Sequence, residues 1–219
     1  MPRLVSTGSV RPLKMSHRAL SGRVALSGGS VAEHESSLER DWLIALDFDW
    51  RIVRIQEQPY TLSYELNGEK RRYTPDVLAV FDDGKAQWTV VYEVKGREDL
   101  WLKWDEYRPR FKAAVHDCRA KGWRFRIVTE REIRTPYLTN IKFLRRYREL
   151  KPQPMHKEAL IYSLRALGPT TPQALLAAVW WDDEKRLIAL TELWRLVATR
   201  EIGASLASPL TMSTQIWLP

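Results

Sequence analysis

Cysteine is almost missing. One residue, Cys118, in a chain of 219 excludes an intrachain disulfide framework and any zinc site built from several thiolates, and it sets a reducing, cytoplasmic compartment as the expectation. No apolar run approaches the ~18 residues needed to cross a bilayer, and the first residues lack the apolar core of a secretory signal, so neither export nor a membrane partner is expected. The glycine-rich signatures G-x-x-x-x-G-K-[ST] and G-x-G-x-x-G are absent, which leaves nucleotide hydrolysis, where it is needed, to a partner. The four histidines show no metal-ligand spacing. Acids are absent from residues 1–32, where Arg3, Arg11, Lys14, Arg18 and Arg23 stand alone.

What is present is an ordinary folding composition with an excess of base. With 44% apolar and 28% charged residues the chain falls outside the disordered classes, and its length allows one domain plus a smaller partner. A net charge of +8 points to an anionic partner, of which nucleic acid is the commonest. Residues 153–219 carry six bases and six acids, so the excess lies in the first two thirds of the chain, where the polyanion is expected to bind.

Three segments follow. Residues 1–32, rich in Ser, Gly and Arg without periodicity, read as a flexible basic arm that either contacts DNA or is a plain disordered tail, with a transit peptide as a third option on composition. Residues 33–151 read as one α/β domain. It has a helix from Glu33 to about Asp47, strands at 51–58, 60–66, 73–81 and 87–94, a helix from Leu100 kinked at Pro109, a strand at 123–129 and a second helical region at 130–150. That last region carries Lys142, Arg145, Arg146 and Arg148, which with the arm form the expected DNA-contacting set. Lys151-Pro152-Gln153-Pro154 reads as a linker, and residues 152–219 as three helices and a terminal hairpin, a small winged-helix-like module. The neutral charge of that module and its Trp180, Trp181, Trp194 and Trp217 favour contact with protein over DNA. Plain packing of the small core is the competing account of the four tryptophans.

The chemistry concentrates in two strands. Thr74-Pro75-Asp76 opens one, and 17 residues beyond the aspartate Glu93-Val94-Lys95 closes another. Alternation along a strand projects Glu93 and Lys95 together while Val94 turns inward. On neighbouring strands Asp76 and Glu93 converge, and two converging carboxylates call for a divalent cation between them, with the Val94 carbonyl as a further ligand. Magnesium fits, with manganese as a substitute, and Lys95 stands where it can orient or deprotonate an attacking water.

This P-D followed by E-x-K resembles the PD-(D/E)XK nuclease superfamily, whose restriction-endonuclease-like core of helix, mostly antiparallel strands, helix and strand matches the order read above. A closer resemblance is to the TnsA family, the endonuclease subunits of heteromeric transposases. It is carried by Ser37-Leu38-Glu39, by Ile55-Gln56-Glu57-Gln58-Pro59, by Tyr73-Thr74-Pro75-Asp76-Val77-Leu78 and by the strand from Trp123 to Thr129 with Glu130 to Ile133 behind it. It covers residues 33 to about 150, and beyond 152 extends only to helix order. The family's prototype has glutamine at the position of Glu93, so here a carboxylate replaces a neutral amide.

The resemblance implies a metal-dependent endonuclease that hydrolyses one strand at transposon ends during cut-and-paste transposition. Asp76 and Glu93 would hold magnesium, Glu39 a second ion or a water, and Lys95 would act on the nucleophile. Glu39 shares a face with Trp42, Leu43 and Leu46, and Glu35 one turn earlier is the reserve. The implied partners are double-stranded DNA, a transposase subunit and, through the C-terminal module, an ATP-dependent regulator of transposition; the implied location is the bacterial nucleoid when on DNA. Two other readings stand beside it: a stand-alone nuclease of resolvase or restriction type, and a non-cleaving DNA-bound adaptor.

Overall fold

The computed structural model describes residues 22–219, together with the backbone of Val5–Ser6. The chain forms two compact units, residues 1–134 and 135–219. None of its described helices is long and apolar enough to cross a membrane.

The first unit is built on a mixed five-stranded sheet in the order β1 (Val5–Ser6), β4 (Ile52–Glu57), β7 (Val77–Asp82), β8 (Gln87–Val94), β9 (Arg124–Val128). The inner strands β7 and β8 are near-continuous apolar runs, as strands covered on both faces require. On one face lies helix α1 (Ser37–Phe48), whose Trp42 meets Tyr92 of β8 edge-on at 5.0 Å. On the other, Cys118 of α3 (Trp104–Ala120) packs with Leu78 and Val91. Strands β5 (Leu62–Leu66) and β6 (Glu69–Tyr73) form a separate ribbon, joined by Asn67-Gly68. Both turn residues have positive φ, 53° and 79°, as a two-residue hairpin connection demands.

Several expectations are corrected here. The segment 1–32 is not wholly an arm: Val5–Ser6 pair with β4, and β2 (Gly22–Ala25) pairs antiparallel with β3 (Val31–His34), burying Val24, Leu26 and Ala32. Gly28 and Gly29 turn this hairpin at positive φ, and the adjoining Ser27 donates through both N–H and Oγ to buried Asp47 of α1, at 2.7 and 2.6 Å. Strands of four residues are too short to announce a period. Residues 3, 11, 14 and 18 of the expected basic set lie outside the described residues.

The first helix begins at Ser37 and not at Glu33, because Ser36 caps it by accepting from the Glu39 N–H at 3.1 Å. The predicted strand 73–81 is in fact two, broken at Thr74–Asp76. The helix expected from Leu100 is interrupted at Lys103, between α2 (Arg97–Leu102) and α3, α3 runs on through Pro109, and the helical region expected at 130–150 starts with a separate short helix, α4 (Glu130–Ile133).

In the second unit α5 (Pro136–Arg148) packs on α8 (Asp183–Ala198), with α6 (Pro154–Leu167), α7 (Pro172–Val179) and the short pair β10 (Gly203–Ala204) and β11 (Ile216–Trp217) around them. Its core is Leu144, Leu160, Leu164, Leu175, Leu193, Leu196 and Ile216, with Phe143 edge-on to Trp194 at 5.4 Å. The break between units falls after Arg134, where a boundary at 151/152 was expected. The segment 151–154, with Pro152 before α6 and Pro154 at its first position, does not release the chain, since the Gln153 N–H donates at 3.1 Å to Glu192, itself buried and paired bidentately with Arg195.

Buried Asn140 ties the 206–210 loop to α5, donating to the carbonyls of Leu206 (2.9 Å) and Ser208 (2.7 Å) and accepting from the Leu210 N–H (2.9 Å). Asn140→Ala leaves these groups without partners and is expected to destabilise the protein by about 2 kcal/mol. Urea unfolding monitored by tryptophan fluorescence checks this, and an unchanged midpoint would contradict it.

Candidate active site

The start of β7 and the end of β8 meet in register. Val77 stands opposite Tyr92, so Asp76 stands opposite Glu93. Asp76 is pinned on three sides. Its carbonyl accepts from the Gln58 N–H (2.7 Å), its N–H donates to the Tyr92 carbonyl (3.2 Å), and its Oδ2 accepts from the Val94 N–H (2.7 Å). Gln58 reaches this position with φ 42°, an unusual left-handed backbone that ends β4.

Glu93 is only 2% exposed. Its Oε2 accepts from the Tyr73 hydroxyl at 2.5 Å, and its Oε1 lies 3.1 Å from Lys95 Nζ and 3.8 Å from the Arg110 guanidinium. Lys95 Nζ also lies 3.7 Å from Asp76 Oδ2 and donates to the Val94 carbonyl at 3.2 Å. One ammonium therefore bridges two carboxylates. Burial by itself would lower the Lys95 pKa, but the charges of Asp76 and Glu93 outweigh it and raise the value above the ordinary lysine range.

Glu39 stands at the third position of α1 and closes a capping arrangement. Its Oε1 accepts from Ser36 Oγ (3.0 Å) and its Oε2 from the Glu35 N–H (2.8 Å). Gln58 Nε2 donates to Glu35 Oε1 at 2.9 Å, which links this helix start to the residue that pins Asp76. Burial first, and then the charge of Asp76, lifts both Glu39 and Glu93 to about 7. A cleft of about 380 Å³ opens beside Glu39, Val94 and Lys95, bounded by Ser36–Leu38, Gly96, Glu130 and Arg134.

Among the described residues, no three His, Cys, Asp or Glu side chains form a close-set ligand group. The donor set nevertheless suits a magnesium ion, which is commonly held by one or two carboxylates and keeps water and phosphate as its other ligands. Asp76 and Glu93 already flank a cation, in this case an ammonium.

Of the residues expected at the site, Glu39, Asp76, Glu93, Val94 and Lys95 are thus brought together. The expected DNA-contacting residues are not part of this cluster. Arg23 lies on β2, 3.4 Å from Glu33. Lys142, Arg145, Arg146 and Arg148 belong to α5 of the second unit, where Arg146 lies 4.9 Å from the Phe143 ring centre and donates to the Phe143 carbonyl, and Arg148 Nε sits 3.6 Å from Glu149. Sequence reading missed Tyr73 and Arg110. Tyr73 adjoins Thr74-Pro75-Asp76 and was within reach of inspection, whereas nothing in the helical pattern around Phe111 singles out Arg110.

Comparison with known families gives two matches. Residues 49–130 match a family described as TnsA-like endonuclease N terminal, and residues 132–206 match one described as TnsA endonuclease C terminal. The junction between them lies at the boundary between the two compact units. No curated protein matches the chain.

The raised values of Glu39 and Glu93 set a pH dependence. Between 4.5 and about 7 the folded protein holds more protons on these carboxyls than the unfolded chain does, so stability falls as pH rises through that window. Without divalent ions the melting temperature is expected to be lower at about pH 7.5 than at about pH 5, and Glu39→Gln or Glu93→Gln should flatten the profile. A wild-type melting temperature that rises across the window would contradict the arrangement.

Proposed function

The chain belongs to the TnsA family, the DNA endonuclease subunits of transposases, and from this premise we propose that Asp76, Glu93 and Lys95 cut one strand at transposon ends in a magnesium-dependent reaction. The restriction-endonuclease-like α/β core belongs to the same assignment. The observation that carries the catalytic reading is the register of β7 and β8, which sets Asp76 opposite Glu93 with the Lys95 ammonium in contact with both.

In this reading Asp76 and Glu93 would hold magnesium, manganese being able to replace it, with the Val94 carbonyl as a further ligand and Glu39 holding a second ion or a water. The bound metal would polarise the phosphoryl oxygen and lower the pKa of a coordinated water. Tyr73 and the Val94 N–H each occupy one carboxylate oxygen and so fix how Glu93 and Asp76 present the other. Lys95, whose charge the two carboxylates favour, would act as a donor that orients the attacking water. A transposase subunit would treat the other strand, completing excision in a cut-and-paste event.

Asp76→Ala and Glu93→Ala should each abolish magnesium- or manganese-dependent nicking of transposon-end DNA while DNA binding is kept or strengthened, because negative charge near the phosphate has been removed. Wild-type rates in either variant would refute the assignment. Lys95→Ala should be inactive yet retain magnesium binding by calorimetry; loss of metal binding in that variant would contradict a donor role.

For the second unit we infer a winged-helix-like module that docks an ATP-dependent regulator of transposition. The structure divides its four tryptophans: Trp194 is buried, Trp180 lies against His156, Trp217 covers Gly203, and Trp181 is 87% exposed. Exposed Leu187 and Ile188 follow on α8, behind the acidic start Asp182-Asp183-Glu184. A DNA reader would place bases there. Trp181→Ala in the full chain should weaken pull-down of the regulator and leave DNA affinity unchanged; the reverse pattern would reassign the face to DNA.

A further inference from the structure

Arg110 belongs to neither the sequence motif nor the catalytic set above. Its side chain is 23% exposed, and its guanidinium lies 4.1 Å from the Tyr107 ring centre, 5.4 Å from that of Phe111 and 5.6 Å from that of Tyr73. Three aromatic rings thus hold the guanidinium at the rim of the site. Among the described residues it forms an ion pair with Glu93 Oε1 at 3.8 Å, beyond hydrogen-bond length, and its buried Nε has no hydrogen-bond partner. Simple neutralisation of Glu93 does not explain this placement. Tyr73 and Lys95 already occupy the two oxygens of that carboxylate at 2.5 and 3.1 Å, and an arginine serving only as counter-ion would close to bidentate contact.

We propose that Arg110 is a substrate-binding cation of the active site, donating from its terminal N–H groups to a non-bridging oxygen of the phosphodiester being cut. A planar guanidinium offers paired donors that match a phosphate, and stacking on the rings orders it in advance of binding. Lys95 and Arg110 flank the same Glu93 oxygen, so a phosphate entering beside Glu93 meets one cation from β8 and another from α3. The inference deepens the catalytic reading and rests on it.

The test is the salt dependence of binding to a short fluorescein-labelled DNA duplex, followed by anisotropy without divalent ions, for the full chain and its variants. Arg110→Met keeps the apolar stem against the rings and removes the charge. Its slope of log affinity against log salt should be shallower by about one, with affinity several-fold weaker at low salt, while Arg110→Lys keeps the wild-type slope. A purely structural role would not be rescued by lysine. A wild-type slope in Arg110→Met, or an equal loss in Arg110→Lys and Arg110→Met, would overturn the proposal. Circular dichroism checks folding, and Arg110→Gln carries the test if Arg110→Met does not fold.

Lys95→Met and Asp76→Asn separate the two levels of the argument. A shallower slope in Lys95→Met with an unaltered one in Arg110→Met overturns the role of Arg110 alone. Unaltered binding in Lys95→Met, Asp76→Asn and Arg110→Met removes phosphate from this centre and overturns the catalytic reading with it.

Discussion

The contact on which the first unit depends is the Lys95 ammonium set between the carboxylates of Asp76 and Glu93. Buried ions are costly unless paired, and Glu93, at 2% exposure, takes its closest ionic contact from Lys95, with the Tyr73 hydroxyl donating to its other oxygen. Lys95 does not meet the whole demand, because Glu39 and Glu93 are still pushed to about 7. The flanking elements serve it: β6 supplies Tyr73, α1 supplies Glu39 from its capped first turn, and α3 supplies Arg110.

The second unit solves a similar problem differently. Glu192 and Arg195 lie one helical turn apart on α8, both buried, and the carboxylate is completed by the Gln153 N–H and the guanidinium by Glu201. Here both charges of the buried pair find partners within the protein, which suits a structural role, whereas in the first unit the Arg110 guanidinium stays 3.8 Å from Glu93. The same network ties the proline-rich segment into the second unit, while the junction of the two family matches falls near Arg134.

Most elements were legible because their signals are local. Thr171 caps α7 by accepting from the Ala174 N–H, with Pro172 in the first turn, and Asn67-Gly68 turns a hairpin. The errors have physical causes too. The hairpin of residues 22–34 is held by burial under α1 and not by any period of its own, and the basic residues that hinted at a solvated arm obscured its buried Val24 and Ala32. Likewise Pro109, the visible suspect for a kink, lies within the continuous α3, and the break falls instead at Lys103.

By itself the sequence determined the alternation that aims Glu93 and Lys95 to one side of β8, the aspartate that opens β7, the caps and turns, and the likeness to the TnsA family. Each is a property of a few consecutive residues. Only the tertiary structure decided that Tyr73 and Arg110 meet Glu93, that Gln58 pins Asp76 while holding Glu35, and that Glu39 and Glu93 are driven toward protonation. Those outcomes depend on which distant segments pack together and how far they exclude water. Charge and hydrogen bonding gain their strength from that burial, and burial is a property of the assembled fold.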